Sequence, residues 1–128
     1  MQLEARMRWL RFSLIVAGVA SLALYPLSLL WPAGFVWHHG GPSPYLQMII
    51  GIYATLGVFL VIAARDPERH RSLIWFAVWS SVVHAAIMAV QAVVLPGQIA
   101  HLYGDVLILF LAAVVIGALM PGEKHRAA

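Results

Sequence analysis

The chain has 128 residues, of which 62% are hydrophobic and only 10% charged, with a mean hydropathy of +0.88. Soluble domains carry about 25% charged residues, so a surface facing water all round is excluded and a single-domain integral membrane protein is expected. The chain has no cysteine and a formal charge of +3. That excludes disulfides, thiolate metal sites and cysteine nucleophiles, and the few basic residues form no aromatic-interleaved patch of the kind that binds nucleic acid.

In chain order, Met1 to Arg11 reads as a short polar lead with Glu4, Arg6, Arg8 and Arg11. Residues 12–31 form the first apolar span. A secretory signal has an apolar region of about 7–15 residues, so this longer run is expected to stay as a spanning helix. Pro26 lies inside it, removes a backbone donor and is expected to kink it near its far end. Residues 32–44 hold prolines and glycines that forbid continued helix. Trp31, Phe35, Trp37 and Tyr45 gather there as an interfacial aromatic belt.

Residues 45–64 form the second span, its surface thinned by Gly51 and Gly57. A charged turn, Arg65 to Arg71, follows. Asp66-Pro67-Glu68 is a helix-start signal, with Asp as N-cap and Pro at the first helical position, so the third helix is expected to begin near Pro67. Its membrane part, residues 72–95, contains no Asp, Glu, Lys or Arg. Pro96-Gly97 ends it, residues 98–104 turn the chain, and residues 105–120 form the fourth span, stopped by Pro121-Gly122.

The charges orient this all-α, four-transmembrane-helix bundle. All eight Lys and Arg lie before span one (Arg6, Arg8, Arg11), between spans two and three (Arg65, Arg69, Arg71) or after span four (Lys124, Arg126). With four crossings these segments share one side, and the positive-inside rule places both termini in the cytoplasm. Helices in lipid gain little from apolar contact and approach closely through small residues. Ala77, Ser81, Ala85 and Ala89, four apart, are expected to pack against a neighbour in this chain or another copy. Helix one offers Ala17, Gly18, Ala20 and Ser21, and helix four Ala112, Ala113 and Gly117.

Polar residues in these spans are few. His84 lies about 16 Å below the far end of helix three at about 1.5 Å per residue, near mid-membrane. A structural hydrogen bond is expected, to a carbonyl, to Ser80, or across the bundle to Tyr53 or Thr55. A metal or haem ligand or a proton relay is the sharper alternative. Gln91 shares the His84 face, seven residues on. His101 and Asp105, four apart, share a helical face near the far surface. With His38 and His39 from the first far-side loop they suit zinc, copper or iron. Alternatively, Gly104-Asp105 N-caps helix four, its carboxylate favoured by the helix dipole, or Asp105 serves a structural ion pair. Depth argues against an intrachain bis-histidine haem. It also argues against a Ser80–His84–Asp105 triad, because Asp105 is expected about 10 Å or more nearer the far surface than His84.

Gly51-Ile52-Tyr53-Ala54, the run from Arg71 to Phe76 and on from Trp79 to Ala85, and His101 with Gly104-Asp105 carry a resemblance. They resemble an uncharacterised bacterial family of small four-helix integral membrane proteins, over roughly Tyr45 to Leu119. The resemblance implies a bacterial inner membrane and brings no activity or functional residue. Small drug exporters and fluoride channels are also short four-helix proteins, but span one holds no acidic residue to serve as a coupling carboxylate.

No catalytic constellation emerges, so an enzyme is not the expected class. The residues favour a non-catalytic membrane component, homo-oligomeric or part of a larger complex. The alternatives are a metal, haem or small-ligand site on His84, Gln91, His101 and Asp105, or proton-linked transport of a small solute through His84 and Asp105. The sequence requires no cofactor.

Overall fold

Each apolar run folds as a helix because its backbone has no other way to satisfy its polar groups where water is absent. A computed structural model describes residues 2–35 and 43–122. Its helices are α1 (Gln2–Leu30), α2 (Pro44–Ala63), α3 (Arg71–Val94) and α4 (Asp105–Leu119). Single 3-10 turns at Pro32–Phe35 and Ile99–Leu102 follow α1 and precede α4. Four helical stretches are long and apolar enough to cross a membrane, the fourth running from Ile99 to Leu119 across the 3-10 turn. Only 11–22% of each apolar window is buried within the chain. The fold is all-helical, with four helices that suggest a multi-pass membrane protein.

Helix α1 begins well before the expected boundary. The polar lead is its first turns, and at about 1.5 Å per residue it is about 43 Å long, so it projects beyond an apolar layer of about 30 Å. Pro26 is accommodated within it. The hydroxyl of Ser28 donates to the Tyr25 carbonyl at 2.7 Å. Helix α2 starts on a real cap: the Ser43 hydroxyl accepts from the Leu46 amide, with Pro44 at the first position.

The helix-start signal at Asp66 does not start α3. Asp66 Oδ1 accepts from the Arg69 amide at 3.4 Å, but the His70 amide turns back to the Pro67 carbonyl at 3.2 Å. The signal builds one closed turn, and α3 begins after it at Arg71.

The helices pack as two antiparallel hairpins. Helix α1 lies along α2 and α3 lies along α4; α1 also meets α4, while α2 touches α3 only lightly. Gly18 and Gly57 set the α1–α2 approach. A Cβ on Gly57 would fall 2.5 Å from the Gly18 carbonyl oxygen, and one on Gly18 would fall 2.8 Å from that of Gly57. The α1–α2 contact is backbone against backbone, as small residues permit in lipid. Gly51, by contrast, has open space beside it. In α3, Ala77 and Ala85 are buried, while Ser81 and Ala89 are half-buried.

The main apolar cluster occupies the basic end. Leu10, Leu14 and Ile74 are fully buried there with Leu60, Ala63, Val78, Ala113 and Ile116 around them. Two arginines close this end. Arg6 Nε donates to the Leu119 carbonyl at 3.0 Å, and its Nη2 donates to those of Ala118 at 2.7 Å and Met120 at 2.8 Å. Arg71 Nη1 donates to the Pro121 carbonyl at 2.7 Å and pairs with Glu68 at 3.5 Å. The last carbonyls of a helix have no partner within it and carry its negative dipole end. Two guanidinium groups from α1 and α3 therefore cap α4 and tie three helices together.

Candidate functional site

The polar side chains of the spans assemble toward the opposite end. Tyr53 of α2 and His84 of α3 are hydrogen-bonded through the phenol oxygen and Nδ1. Their rings stand edge to face, centroids 5.4 Å apart. Of the partners open to His84 in sequence, the structure selects Tyr53. Thr55 instead donates to the Gly51 carbonyl at 3.0 Å, and Ser80 to the Ala77 carbonyl at 3.2 Å, each within its own helix. Because α2 and α3 otherwise meet only lightly, this bond is a principal link between those two helices.

His101 and Asp105 form the second pair, Nδ1 to Oδ2 at 2.7 Å. The imidazole sits in the 3-10 turn and the carboxylate on the first residue of α4. Gly104 is the N-cap residue of α4, as expected, with no side-chain cap bond, and the Asp105 carboxylate turns back to the imidazole as an ion pair. The carboxylate still stands in the first turn of α4, where the helix dipole favours negative charge.

The depth of Asp105 also differs from expectation. Helix α4 has 15 residues, about 22 Å at the usual rise, which is short of an apolar layer of about 30 Å. The apolar stretch takes in the 3-10 turn and runs from Ile99 to Leu119, so Asp105 lies within it and not at its end. A Cβ on Gly117 would lie 3.5 Å from Val78 and 3.7 Å from Trp75, which sets α3 and α4 in register. Counting up from that level, Asp105 stands about 18 Å above it and His84 about 9–14 Å. The offset is therefore about 4–9 Å, less than expected.

Depth alone consequently no longer separates His84 from His101 and Asp105. The Ser80–His84–Asp105 triad is absent for a different reason: Ser80 bonds its own helix, and Tyr53 occupies His84 Nδ1. Gln91 is exposed, and its side chain makes no hydrogen bond to the described residues. Among the described residues, no three His, Asp or Glu side chains come together as a metal ion requires. His38 and His39 lie outside the described residues.

The arrangement is thus two pairs of side chains from three helices and a turn, Tyr53 with His84 and His101 with Asp105. Tyr53 was only one of several possible partners from sequence. The signal that could have singled it out is its depth, since Tyr53 and His84 lie about 10 and 13 residues from the basic ends of their helices.

A family model described as a family of unknown function, DUF6632, matches residues 5–126, and the chain belongs to that family. No match was found among curated proteins or among solved structures.

Proposed function

We propose that this is a non-catalytic multi-pass protein of a bacterial cytoplasmic membrane, with both termini cytoplasmic, working as an oligomer or as an accessory subunit of a larger complex. The observation that carries the non-catalytic reading is that the polar side chains of the far half engage one another. Tyr53 pairs with His84 and His101 with Asp105, and among the described residues no buried side-chain nitrogen or oxygen lacks a partner. Such pairs hold helices together in lipid, at about 0.6–2 kcal/mol each. Association with further copies or subunits is supported by Gly51 and Thr55, four apart on α2. Among the described residues nothing lies within 4 Å of where a Gly51 Cβ would stand, and Thr55 is exposed.

The orientation rests on the basic residues, all of which fall in segments that four crossings put on one side. The bacterial setting rests on the resemblance carried by α3. The chain has no cysteine, so single cysteines report topology cleanly. In intact cells, Pro96→Cys reacts with an impermeant maleimide and Glu68→Cys does not; the reverse pattern overturns the orientation. Purified protein that is colourless and metal-free, and that runs by native mass spectrometry as a defined oligomer or with a fixed partner, supports the main reading. A Soret band or a stoichiometric metal overturns it.

A second reading, proton-linked handling of a small solute, is favoured by one observation: counted along their helices, His84 and Asp105 are offset by only about 4–9 Å. Proton flux in liposomes that is lost in His84→Ala supports it, and unchanged flux removes it.

A further inference from the structure

The arginines of the basic end divide by what they touch. Arg6 and Arg71 bond the carbonyls that close α4, and Arg69 pairs with Asp66 at 3.9 Å. Arg8, Arg11 and Arg65 are exposed, and their side chains bond no other described residue. These three gather at one place. A helix turns about 100° per residue, so Arg11, seven residues before Gly18, stands on nearly the same face of α1. Gly18 abuts Gly57 backbone to backbone, and Arg65 follows Gly57 by eight residues. Counted from that contact, Arg11 and Arg65 lie about 10 and 12 Å toward the basic end on neighbouring helices. Because α1 and α2 are antiparallel, equal rotations away from the two glycines lead to the same side of the seam between them. One side is buried, with Leu10 and Leu14 on α1 and Leu60 and Ala63 on α2. The other is exposed, with Arg8, Arg11, Ile15 and Val19 on α1, Val58 on α2 and Arg65 just past its end.

The geometry points to a phospholipid site on the outer edge of the α1–α2 seam. Arg8, Arg11 and Arg65 hold the phosphate of an anionic phospholipid, and an acyl chain runs down the seam over Ile15, Val19 and Val58. This goes beyond the proposed function and rests only on its membrane-spanning reading. The depth fits. From Arg11 to Leu30, α1 runs about 30 Å, the thickness of an apolar layer, so Arg11 stands where headgroups begin. Trp9 and Phe12 are exposed at this level, their rings edge to face with centroids 6.0 Å apart, as aromatic side chains are at a membrane surface.

The charge fits as well. Guanidinium forks match phosphate oxygens and keep their charge. The neighbouring acids do not compete for them. Asp66 is engaged by Arg69, and Glu4 stands two turns outward of Arg11, beyond the apolar layer, with no ion pair to a described residue. A headgroup that carries its own ammonium would meet three positive charges here and no free carboxylate to receive it. The seam therefore selects a phospholipid of net negative charge over a zwitterionic one. Below the arginines the exposed surface is apolar down to the level of the two glycines, as an acyl chain attached to the held phosphate requires.

The test titrates the full chain in detergent with phosphatidylglycerol and, separately, with phosphatidylcholine of the same acyl chains, and reads bound lipid by native mass spectrometry. One phosphatidylglycerol per chain should bind about tenfold or more tightly than phosphatidylcholine, since each arginine near a headgroup contributes a factor of about five. Arg11→Gln and Arg65→Gln should each weaken phosphatidylglycerol by about fivefold. Val58→Trp fills the seam without changing charge and should weaken it too; unchanged affinity there overturns the placement of the acyl chain. Excess inorganic phosphate should leave the lipid in place, and displacement would overturn the site as one for phospholipid. Equal affinity for the two lipids in the unsubstituted chain overturns the proposal even if no variant folds. If the chain stays soluble without detergent or lipid, the membrane reading itself fails. A detergent-embedded chain with no preference between the lipids removes only this site and leaves the non-catalytic reading standing.

Discussion

The two ends of this bundle are built on opposite terms. At the basic end, Leu10, Leu14 and Ile74 are fully buried, and Arg6 and Arg71 bond four successive carbonyls, Ala118 to Pro121, at the close of α4. At the far end, α4 does not reach the full depth of an apolar layer, a 3-10 turn continues its apolar stretch, and hydrogen-bonded polar pairs take the place of a sealed core. Charge appears at both ends, yet its role differs. Arginine at the basic end is permanently charged and offers a planar fork of donors, so it satisfies backbone carbonyls that would otherwise be orphaned. Histidine, tyrosine and aspartate at the far end bond one another side chain to side chain. One end caps a helix terminus and the other joins side chains in pairs.

The largest expected effect tests the capped end. Arg6→Ala removes three hydrogen bonds from a charged donor, each worth about 1.5–3 kcal/mol when well formed and less here because the group is partly exposed. A loss of about 2–4 kcal/mol is expected in denaturant unfolding of the detergent-solubilised chain. Arg6→Lys should recover less than half, because an ammonium cannot span the fork. A loss in Arg6→Ala no larger than that in Arg8→Ala, an exposed neighbour, would show that the carbonyl contacts do not stabilise the bundle.

Next comes the crossing of α1 and α2. Gly57→Ala forces a methyl group against backbone, and overpacking of this kind costs about 1–3 kcal/mol. Gly51→Ala lies one and a half turns away on the same helix with no described residue beside it, and it should be neutral or stabilising by up to about 1 kcal/mol through helix propensity. Opposite signs for two identical substitutions on one helix are a direct reading of the contact. Equal signs would mean that α1 and α2 do not meet backbone to backbone at Gly18 and Gly57.

The smallest effect belongs to the far end. Tyr53→Phe deletes one hydroxyl and should cost about 0.5–1.5 kcal/mol. It should also raise hydrogen exchange in the far halves of α2 and α3 while leaving the amides around Leu60 and Ile74 protected. Uniform loss of protection along α3 would show that the bundle opens as one unit and would remove the distinction between its ends.

Much of this was legible from residue order alone. Four crossings follow from the length of the apolar runs, and the gathering of all Lys and Arg into three segments is enough to define a basic end. The Gly- and Pro-rich breaks mark where the helices stop. Boundaries were less legible. Asp66-Pro67-Glu68 has the composition of a helix start, yet a turn closed by the His70 amide uses the same residues, because local capping chemistry does not say how many turns will follow it. The polar lead folds into α1 because Arg6 finds carbonyl partners on a helix more than a hundred residues later, and no local pattern encodes such a contact.

The candidate site divides in the same way. His84, His101 and Asp105 stand out in sequence as the ionisable residues within or beside apolar helices, since hydrophobic surroundings make each one conspicuous. Which of them meet was decided by register. Periodicity says which face a residue occupies on its own helix, but it says nothing about the axial offset between helices. That offset is set by the packing of Gly117 beside Val78 and Trp75 and by the shortness of α4, and it brings Asp105 down toward His84. Sequence by itself determined the number of crossings, the basic end and the inventory of polar groups, because these depend on composition and spacing along one chain. Only the tertiary structure decided that Tyr53 is the partner of His84 and that two arginines close the basic end, because each depends on where separate helices come to rest against one another.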